Sequence, residues 1–234
     1  MKTKSEKVLA MIPAFNEAEH ITVVVTQARK YLPVLVVDDG SADETSVIAR
    51  QNGAEVFRQE PNQGKGTAIM NGFKYALEHG YDAVITLDGD GQHDPDEIPL
   101  FLEDFTTNGS DLIIGRRDFR KMPFVRMCSN SLGTWMYSWA IGQFIPDNQS
   151  GYRLISAALM RSMTTSEFHG FEFEVEMIMR CVMDAHKLSW VTIKTIYAGE
   201  KSHITPVRHA WRFFLLTFRT RRVMRMHRRK SKNQ

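Results

Sequence analysis

The sequence predicts an α/β fold built around one mostly parallel β-sheet. Short apolar runs of strand character alternate with segments of helical periodicity as far as residue 114, an order typical of parallel strands joined by right-handed crossover helices. Neither an internal repeat nor a Pro-, Gly- or Ser-rich linker divides the 234 residues, of which 43% are hydrophobic. We therefore expect one domain with one substantial core.

The predicted elements follow one another at the spacing of strand–helix units. Each strand is a short apolar stretch bounded by polar or turn-forming residues, and the strands cover 8–12, 34–37, 55–57, 83–87, 112–114 and 191–196. Helical periodicity covers 18–31, 44–51, 65–79 and 95–106. Because the carboxyl ends of parallel strands meet at one edge of a sheet, the polar residues that follow the first strands should lie close together there.

Two carboxylates, Asp88 and Asp90, follow the fourth predicted strand. Residues i and i+2 of a strand project from the same face, so this pair can converge on one hard cation where the strand opens into a loop. A solvated turn is the alternative for an isolated Asp-x-Asp. The pair is not isolated here, however, because three further polar segments, 13–17, 38–45 and 62–68, lie at strand ends or helix starts.

Each of these segments also has a structural interpretation. Asn16 and Glu17 either receive a nucleotide base or ribose, or form the N-terminal cap of the first helix. Asp39 either braces a turn or accepts hydrogen bonds from the base and ribose. Lys65 begins a glycine-rich helix start that is not a Walker motif, because Gln59 stands where a glycine is required; its ammonium group either contacts a donor or is merely solvated.

With these segments in this order, the chain resembles the family 2 glycosyltransferases of the GT-A fold over residues 7–205, and within them the polyprenyl-phosphate sugar transferases of the dolichyl-phosphate mannose synthase type. The resemblance implies a Rossmann-like nucleotide-binding half followed by an acceptor half. It further implies Mg²⁺ or Mn²⁺ as cofactor, held by Asp88 and Asp90 against the donor diphosphate. The donor-binding residues that it implies are Pro13, Phe15, Asn16, Glu17, Val37, Asp39, Lys65, Asp88, Gly89, Asp90 and Gln92. His93 is expected to be a loop residue and not a ligand.

The resemblance places the acceptor phosphate at two arginines, Arg117 and Arg126, whose guanidinium groups suit bidentate phosphate binding. Asp147 belongs to the Asp-x-x-Ser-Gly-aromatic segment that lies near the reaction centre in this family. With Asp90 and Arg117 it completes the expected catalytic set. The chain lacks the Gln-x-x-Arg-Trp segment of processive transferases, which fits a phosphate acceptor, since a phosphate monoester is largely ionised at neutral pH and needs little help from a base.

Charge is distributed unevenly along the chain. All 27 Asp and Glu residues lie at or before Glu200, whereas 10 Lys and Arg follow residue 206. Trp211, Phe214, Leu215 and Phe218 share one helical stripe in this tail, and residues 122–146 supply a second aromatic-rich segment that includes Trp135, Tyr137, Trp139 and Phe144. We expect the tail, with the aromatic segment as a second element, to contact an anionic membrane surface. The alternatives are a core helix for the aromatic segment and nucleic-acid binding for the basic tail, and the membrane is the favoured polyanion.

The remaining features set the compartment and the domain boundaries. The N-terminus lacks signal-peptide character, and the two cysteines, Cys128 and Cys181, form neither a disulfide framework nor a zinc motif. We therefore expect a cytoplasmic protein with reduced cysteines, peripheral on the inner face of the cytoplasmic membrane. Residues 1–205 should form the transferase domain and 206–234 a basic amphipathic tail.

The resulting functional hypothesis is inverting transfer of a sugar from a UDP- or GDP-sugar to a polyprenyl phosphate, in the biosynthesis of cell-envelope glycans. One alternative is transfer to a sugar hydroxyl of a glycan or glycolipid. The other is a non-catalytic nucleotide-sugar-binding subunit that recruits integral membrane partners.

Overall fold

A computed structural model describes residues 6–118, 124–168, 170, 172–194 and 206–232; within the helices, the side chains of residues 124–126, 128, 206–212, 231 and 232 lie outside the description. The described chain forms one α/β domain around a seven-stranded sheet. The strands are β1 (Val8–Ala14), β2 (Val34–Asp38), β3 (Glu55–Arg58), β4 (Ala83–Thr86), β5 (Leu112–Arg117), β6 (Arg153–Ser156) and β7 (Leu188–Ile193). The helices are α1 (Ile21–Ala28), α2 (Thr45–Gln51), α3 (Lys65–Glu78), α4 (Ile98–Asn108), α5 (Phe124–Ile141), α6 (Ala157–Met163), α7 (Glu172–Met183) and α8 (Pro206–Lys232).

The strand order is β3-β2-β1-β4-β6-β5-β7, and all neighbouring pairs are parallel except the two that involve β6. The predicted mostly parallel sheet is thus confirmed. The chain runs outward from β1 to β3 and returns with β4 on the other side of β1. This reversal opens a crevice at the carboxyl ends of β1 and β4, the place where doubly wound sheets bind ligands.

Both faces of the sheet are covered, as a parallel sheet requires. Alternate residues of β1 point to opposite sides: Leu9 and Met11 pack towards α3, α6 and α7, whereas Ala10 and Ile12 pack towards α1 and α4. Every side chain of β1 is buried. The central strands therefore form a rigid support for the loops at their carboxyl ends.

One strand was not predicted, and several boundaries differ from the sequence predictions. Strand β6 was not predicted, because it has only four residues and lies in the mixed region after residue 114, where no clear apolar run marks it. Strand β7 ends at Ile193 and begins three residues before the predicted 191–196, whose last two residues lie outside the described chain. Helix α1 begins at Ile21 and not at residue 18, because the preceding residues form turns.

Helix α8 packs against α5 and α7. Its residues Leu216 and Met224 belong to the core on that face of the sheet, and Thr217 is fully buried. Two of its arginines also bind α5: Arg221 donates a hydrogen bond of 2.9 Å to the carbonyl of Trp139, and Arg228 one of 2.8 Å to that of Ile141. The division into 1–205 and 206–234 stays a prediction, but the described part of the tail is packed onto the domain.

Candidate active site

The crevice at the ends of β1 and β4 contains a cleft of about 360 Å³. Eight of the predicted donor-binding residues line it: Pro13, Phe15, Glu17, Asp39, Lys65, Asp88, Gly89 and Asp90. Ala14, Asn62, Gly64 and Ala68 complete the lining. Sheet topology brings these residues together, because they lie at or after the carboxyl ends of β1, β2 and β4, in the loop after β3 or in the first turn of α3.

Asp88 is bound to a lysine in this cleft. The Lys65 Nζ atom lies 2.6 Å from Asp88 Oδ1 and 3.2 Å from Glu174 Oε1, so two carboxylates share one ammonium group. Burial alone would raise the pKa of Asp88, but the Lys65 ammonium group outweighs burial and holds that pKa at about 2. Burial would likewise lower the pKa of Lys65, and the two carboxylates raise it above its ordinary value. Both groups are therefore charged at neutral pH.

Asp90 lies on the open side of the same loop. Its carboxylate accepts hydrogen bonds from the backbone and side-chain nitrogens of Gln92, at 3.0 and 2.9 Å. Burial, followed by the charge of Asp88, raises the pKa of Asp90 above its ordinary value. A cation bound between Asp88 and Asp90 would relieve this repulsion.

The donor set fits a divalent metal ion. In the described part of the chain no three His, Cys, Asp or Glu side chains are grouped so as to hold a metal ion. Asp88 and Asp90 nevertheless place carboxylate oxygens in a cleft large enough for a diphosphate, and Lys65 shows that a cation is accommodated at Asp88. Mg²⁺ is typically bound in this way, by one or two carboxylates together with substrate phosphates and water.

The loop between β2 and α2 and the start of α3 are organised by two buried carboxylates. Asp39 accepts hydrogen bonds from Gln59 Nε2, from the Gln63 backbone N–H at 2.7 Å and from the Gly64 backbone N–H at 2.8 Å, which fixes the start of α3. Asp38 is fully buried and accepts a hydrogen bond of 2.8 Å from the Ser41 backbone N–H. Asp39 thus braces the loop and also lines the cleft, so both predicted roles remain compatible with its position.

Asn16 joins the loop after β1 to the loop after β2 and does not cap α1. Asn16 adopts a left-handed backbone conformation with φ +57°, and its Oδ1 accepts a hydrogen bond of 2.8 Å from the Ala42 N–H. It is not a helix cap, because the N-cap position of α1 is His20. Asn16 and Val37 are not among the residues that line the cleft: Asn16 joins two loops, and the Val37 side chain lies in the core. Their predicted donor contacts remain untested.

Arg117, at the end of β5, forms a bidentate ion pair with Asp147. The Arg117 Nε atom lies 2.7 Å from Asp147 Oδ2, and the distance from Nη2 to Oδ1 is 2.9 Å. Asp147 is fully buried, whereas the Arg117 side chain is 20% exposed. Both oxygens of Asp147 are therefore engaged, and the carboxylate orients the guanidinium group. Arg126, the second predicted acceptor residue, lies outside the described side chains.

Arg117 lies between two cavities. On one side, a pocket of about 60 Å³ is also lined by Asp88, Gln92 and Ser150. On the other side, Arg117 contributes to a groove of about 680 Å³ whose lining includes Trp135 and Phe144. Those two aromatic side chains are 68% and 73% exposed. The buried Ser150 Oγ atom has no hydrogen-bond partner among the described residues.

The segment between Asp147 and β6 is held by Arg153, whose side chain is almost fully buried. Its guanidinium group donates hydrogen bonds to the backbone carbonyls of Ser150 at 2.7 Å, of Asn148 at 3.2 Å and of Glu174. A Cβ atom at Gly151 would lie 2.9 Å from Asp88 Oδ2, so glycine here leaves room for the Asp88 carboxylate beside the segment.

Glu174 contacts the cleft lysine, and the sequence does not single it out. An acidic run at a helix start is explained by the helix dipole alone, and nothing local singles out one of its members. In the structure Glu174 faces Lys65, whereas Glu176 forms an ion pair of 2.8 Å with Arg180 on the same helix. Only the packing of α7 beside α3 separates the two roles.

His93 and Cys181 have internal roles. The Asp88 backbone N–H donates to His93 Nδ1 at 3.0 Å, and the imidazole ring packs against Tyr152 in a tilted arrangement with centroids 5.0 Å apart. Burial lowers the pKa of His93, so the ring is neutral. Cys181 is a buried free thiol whose pKa burial raises to about 12, while the Cys128 side chain lies outside the described residues.

An aromatic surface extends from the groove along α5 and α8. Trp139, Phe214 and Phe218 are exposed and in contact, with centroid distances of 5.6 Å for Trp139–Phe218 and 4.6 Å for Phe214–Phe218. Tyr137 was predicted to belong to this surface, but it is fully buried and donates a hydrogen bond of 2.6 Å to the Val175 carbonyl. The Trp211 side chain lies outside the described residues. Over the described ranges, none of the helices combines the length and the apolar character needed to cross a bilayer.

Comparison with known proteins agrees with this arrangement. The family model "Glycosyl transferase family 2" matches residues 10–165. The chain is 34% identical to an undecaprenyl-phosphate mannosyltransferase of Micrococcus luteus over 74% of this chain and 77% of that protein. It is 29% identical to a UDP-N-acetylglucosamine–dolichyl-phosphate N-acetylglucosaminyltransferase of Methanococcus voltae over 80% and 84%.

Among solved structures, the fold is similar to that of glucosyl-3-phosphoglycerate synthase from Mycobacterium tuberculosis in complex with Mn²⁺, UDP-glucose and phosphoglyceric acid. The TM-score is 0.74 with 19% identity, and the match covers 93% of this chain and 80% of that one. At this level of identity the likeness concerns the fold alone.

Proposed function

Because the chain belongs to glycosyl transferase family 2, we propose that it transfers a sugar, with inversion, from a nucleoside diphosphate to the phosphate of a polyprenyl lipid. The names of the relatives in Micrococcus and Methanococcus support a polyprenyl-phosphate acceptor. A UDP- or GDP-sugar is the proposed donor, bound in the cleft at the ends of β1 and β4.

The observation that carries this proposal is the position of Arg117. The Arg117 side chain lines both the small pocket beside Asp88 and the large groove with its exposed aromatic residues. A guanidinium group at this junction suits an acceptor with an anionic head and an apolar tail, because it can hold the phosphate while the tail lies along the groove. The pairing with Asp147 fixes the guanidinium in advance and reduces the cost of ordering it on binding.

The proposed reaction assigns distinct tasks to these residues. Asp88 and Asp90 would hold Mg²⁺ or Mn²⁺, which when bound stabilises negative charge on the departing nucleoside diphosphate. Arg117 holds the acceptor phosphate so that one of its oxygens attacks the anomeric carbon opposite the leaving diphosphate. The bond from that carbon to the donor phosphate oxygen breaks, and the configuration inverts. No proton needs to be removed, since the second pKa of a phosphate monoester is near 6.

The outer face of α8 supports a membrane-facing orientation. Phe214, Leu215 and Phe218 occupy this face in the first half of the helix, and exposed arginines continue it in the second half at 222, 225 and 229, by helical periodicity. Aromatic and basic residues in this arrangement favour insertion at the surface of an anionic leaflet. We propose that the protein is peripheral on the cytoplasmic face, with this surface and the Arg117 groove turned towards the lipid.

Transfer to a sugar hydroxyl is the second candidate function, and Asp118 is the residue that favours it. Asp118 lines the same groove as Arg117, and a hydroxyl acceptor requires a carboxylate base of this kind. The non-catalytic alternative is not favoured, since family membership and the intact Asp88, Asp90 and Arg117 agree with a glycosyltransferase.

One experiment separates the two acceptors. Purified protein is incubated with Mn²⁺, radiolabelled UDP- and GDP-sugars, and either a short polyprenyl phosphate or the corresponding polyprenol. We expect transfer to the phosphate only, and the Asp118→Asn variant should retain most of this activity. Transfer to the polyprenol, or to added glycan with loss of activity in Asp118→Asn, would instead establish a hydroxyl acceptor.

A further inference from the structure

Lys65 is confined between carboxylates that come from different parts of the fold. Asp88 follows β4, and Glu174 lies in the first turn of α7; both approach the ammonium group, at 2.6 and 3.2 Å. The backbone of Gly151 closes the opposite side, where a Cβ atom would lie 3.1 Å from Lys65 Nζ. The Glu174 side chain is only 13% exposed, whereas the Lys65 side chain is 38% exposed, so the ammonium group is held by a mostly buried carboxylate and remains open to the cleft.

A divalent metal ion cannot bind Asp88 without a change in the position of Lys65. Asp88 already carries a cation at hydrogen-bonding distance, and a divalent ion bound to the same carboxylate would be repelled by it at short range. Lys65 is anchored at the first turn of α3 and lines the donor cleft, so its ammonium group stays within the site if it leaves Asp88. Glu174 is the partner already in place to hold it.

We propose that Lys65 is an exchangeable counter-cation: it neutralises Asp88 in the ligand-free protein, moves to Glu174 when Asp88 binds the divalent ion, and from there contacts the donor diphosphate. Glu174 is then a positioning residue that acts through Lys65. The proposal deepens the proposed function and rests on its assignment of the metal to Asp88 and Asp90.

The exchange gives Lys65 opposite effects on the two ligands. Without nucleotide, Lys65 competes with the metal ion for Asp88 and weakens metal binding. With metal bound, the released ammonium group adds a charge-assisted contact to the diphosphate and strengthens nucleotide binding. Metal and donor should therefore bind cooperatively, and the loop should remain charge-balanced when both are absent.

The first test measures binding of Mn²⁺ by electron paramagnetic resonance of the free ion, without nucleotide, and is independent of turnover. Lys65→Met should bind Mn²⁺ about tenfold more tightly than wild type, since a competing cation of about 1.4 kcal/mol has been removed. Lys65→Gln serves as a polar second variant. Lys74→Met, which removes an exposed lysine elsewhere on α3, is the matched control and should leave the affinity unchanged.

The second test measures nucleotide binding by calorimetry with saturating Mn²⁺, where loss of Lys65 should weaken binding and not strengthen it. The probe is UDP or GDP, whichever raises the melting temperature of the wild-type protein more. Its affinity should fall about tenfold in Lys65→Met, since one charge-assisted contact is lost. Unchanged or weaker Mn²⁺ binding by both Lys65 variants would overturn the exchange. If Asp88→Asn binds Mn²⁺ as wild type does, the metal assignment itself fails, and the exchange fails with it.

A double-mutant cycle tests the role of Glu174. Glu174→Gln should weaken Mn²⁺ binding in the wild-type background, because Lys65 then has only Asp88 as partner, and should have little effect in the Lys65→Met background. An equal loss in both backgrounds would show that Glu174 attracts the ion directly, and this result would overturn its role as a receiver for Lys65.

Discussion

Replacing Asp147 by Asn should impair acceptor use through Arg117. The carboxylate accepts two hydrogen bonds from the guanidinium group, at 2.7 and 2.9 Å. Asn retains one acceptor oxygen and presents an NH₂ group to the second donor, so one charge-assisted bond of about 1.5–3 kcal/mol is lost. If that energy serves to orient Arg117, kcat/KM for the acceptor should fall roughly 10- to 150-fold.

The assay is the initial rate against polyprenyl phosphate concentration at saturating donor and Mn²⁺. The loss should appear mainly in KM for the acceptor, and donor affinity measured by calorimetry should not change. Arg117→Lys preserves the charge but not the bidentate fork, so it should show a similar loss, and the double variant should be little worse than either single one. Urea unfolding checks that the buried substitution leaves the fold intact.

Two results would refute this reasoning. Additive losses in the double variant would mean that Asp147 does not act through Arg117. A fall in kcat with unchanged KM, accompanied by a shift in the basic limb of the pH profile, would instead identify Asp147 as a base.

Three further predictions address the metal-binding loop and the tail. Asp90→Ala should abolish transfer and Mn²⁺ binding but leave the unfolding midpoint nearly unchanged, because it opens no core cavity; near-normal turnover with saturating Mn²⁺ would remove Asp90 from the site. The depressed pKa of Asp88, about 2, stabilises the fold above the unfolded-state value near 4, and this contribution is lost as pH falls towards 2. The stability difference between wild type and Asp88→Asn in urea should therefore shrink from about 2 kcal/mol at pH 6 to near zero at pH 2, and a pH-independent difference would contradict the ion pair. For the tail, replacing the exposed Arg222, Arg225 and Arg229 by Gln should reduce co-sedimentation with anionic liposomes and its sensitivity to salt. The matched control replaces three exposed basic residues outside α8, Lys30, Arg50 and Lys74, and should change neither property.

The structure changes how the tail can be tested. From the sequence, truncation after residue 206 should remove the basic residues and leave the donor site intact. Leu216 and Met224 are buried against α5 and α7, however, so removing α8 would expose the core. Point substitutions on the outer face of α8 separate membrane contact from folding.

Local signals made the donor half of the site predictable. Strand-like runs followed by polar residues located Asp39, Asp88 and Asp90, because a strand end and its loop are adjacent in sequence. The parallel order of the strands then brought these residues to one edge of the sheet. The structure places all three in the lining of one cleft.

Long-range pairing made the rest unpredictable. The bond between Arg117 and Asp147 joins residues 30 positions apart, and Lys65 meets Glu174 only because α3 and α7 pack on the same face of the sheet. Tyr137 shows the same limitation, since an aromatic residue of an amphipathic helix has no local mark that separates a core position from an exposed one. Composition suggested the chemistry of these groups but not their partners.

The most direct test of the central claim is the ³¹P NMR spectrum of the product formed from a polyprenyl phosphate and a nucleoside diphosphate sugar. We expect the phosphomonoester signal of the lipid to be replaced by that of a phosphodiester to the sugar, with one equivalent of nucleoside diphosphate released. A lipid phosphomonoester that stays unchanged while nucleoside diphosphate is released and sugar enters another acceptor would contradict transfer to the lipid phosphate.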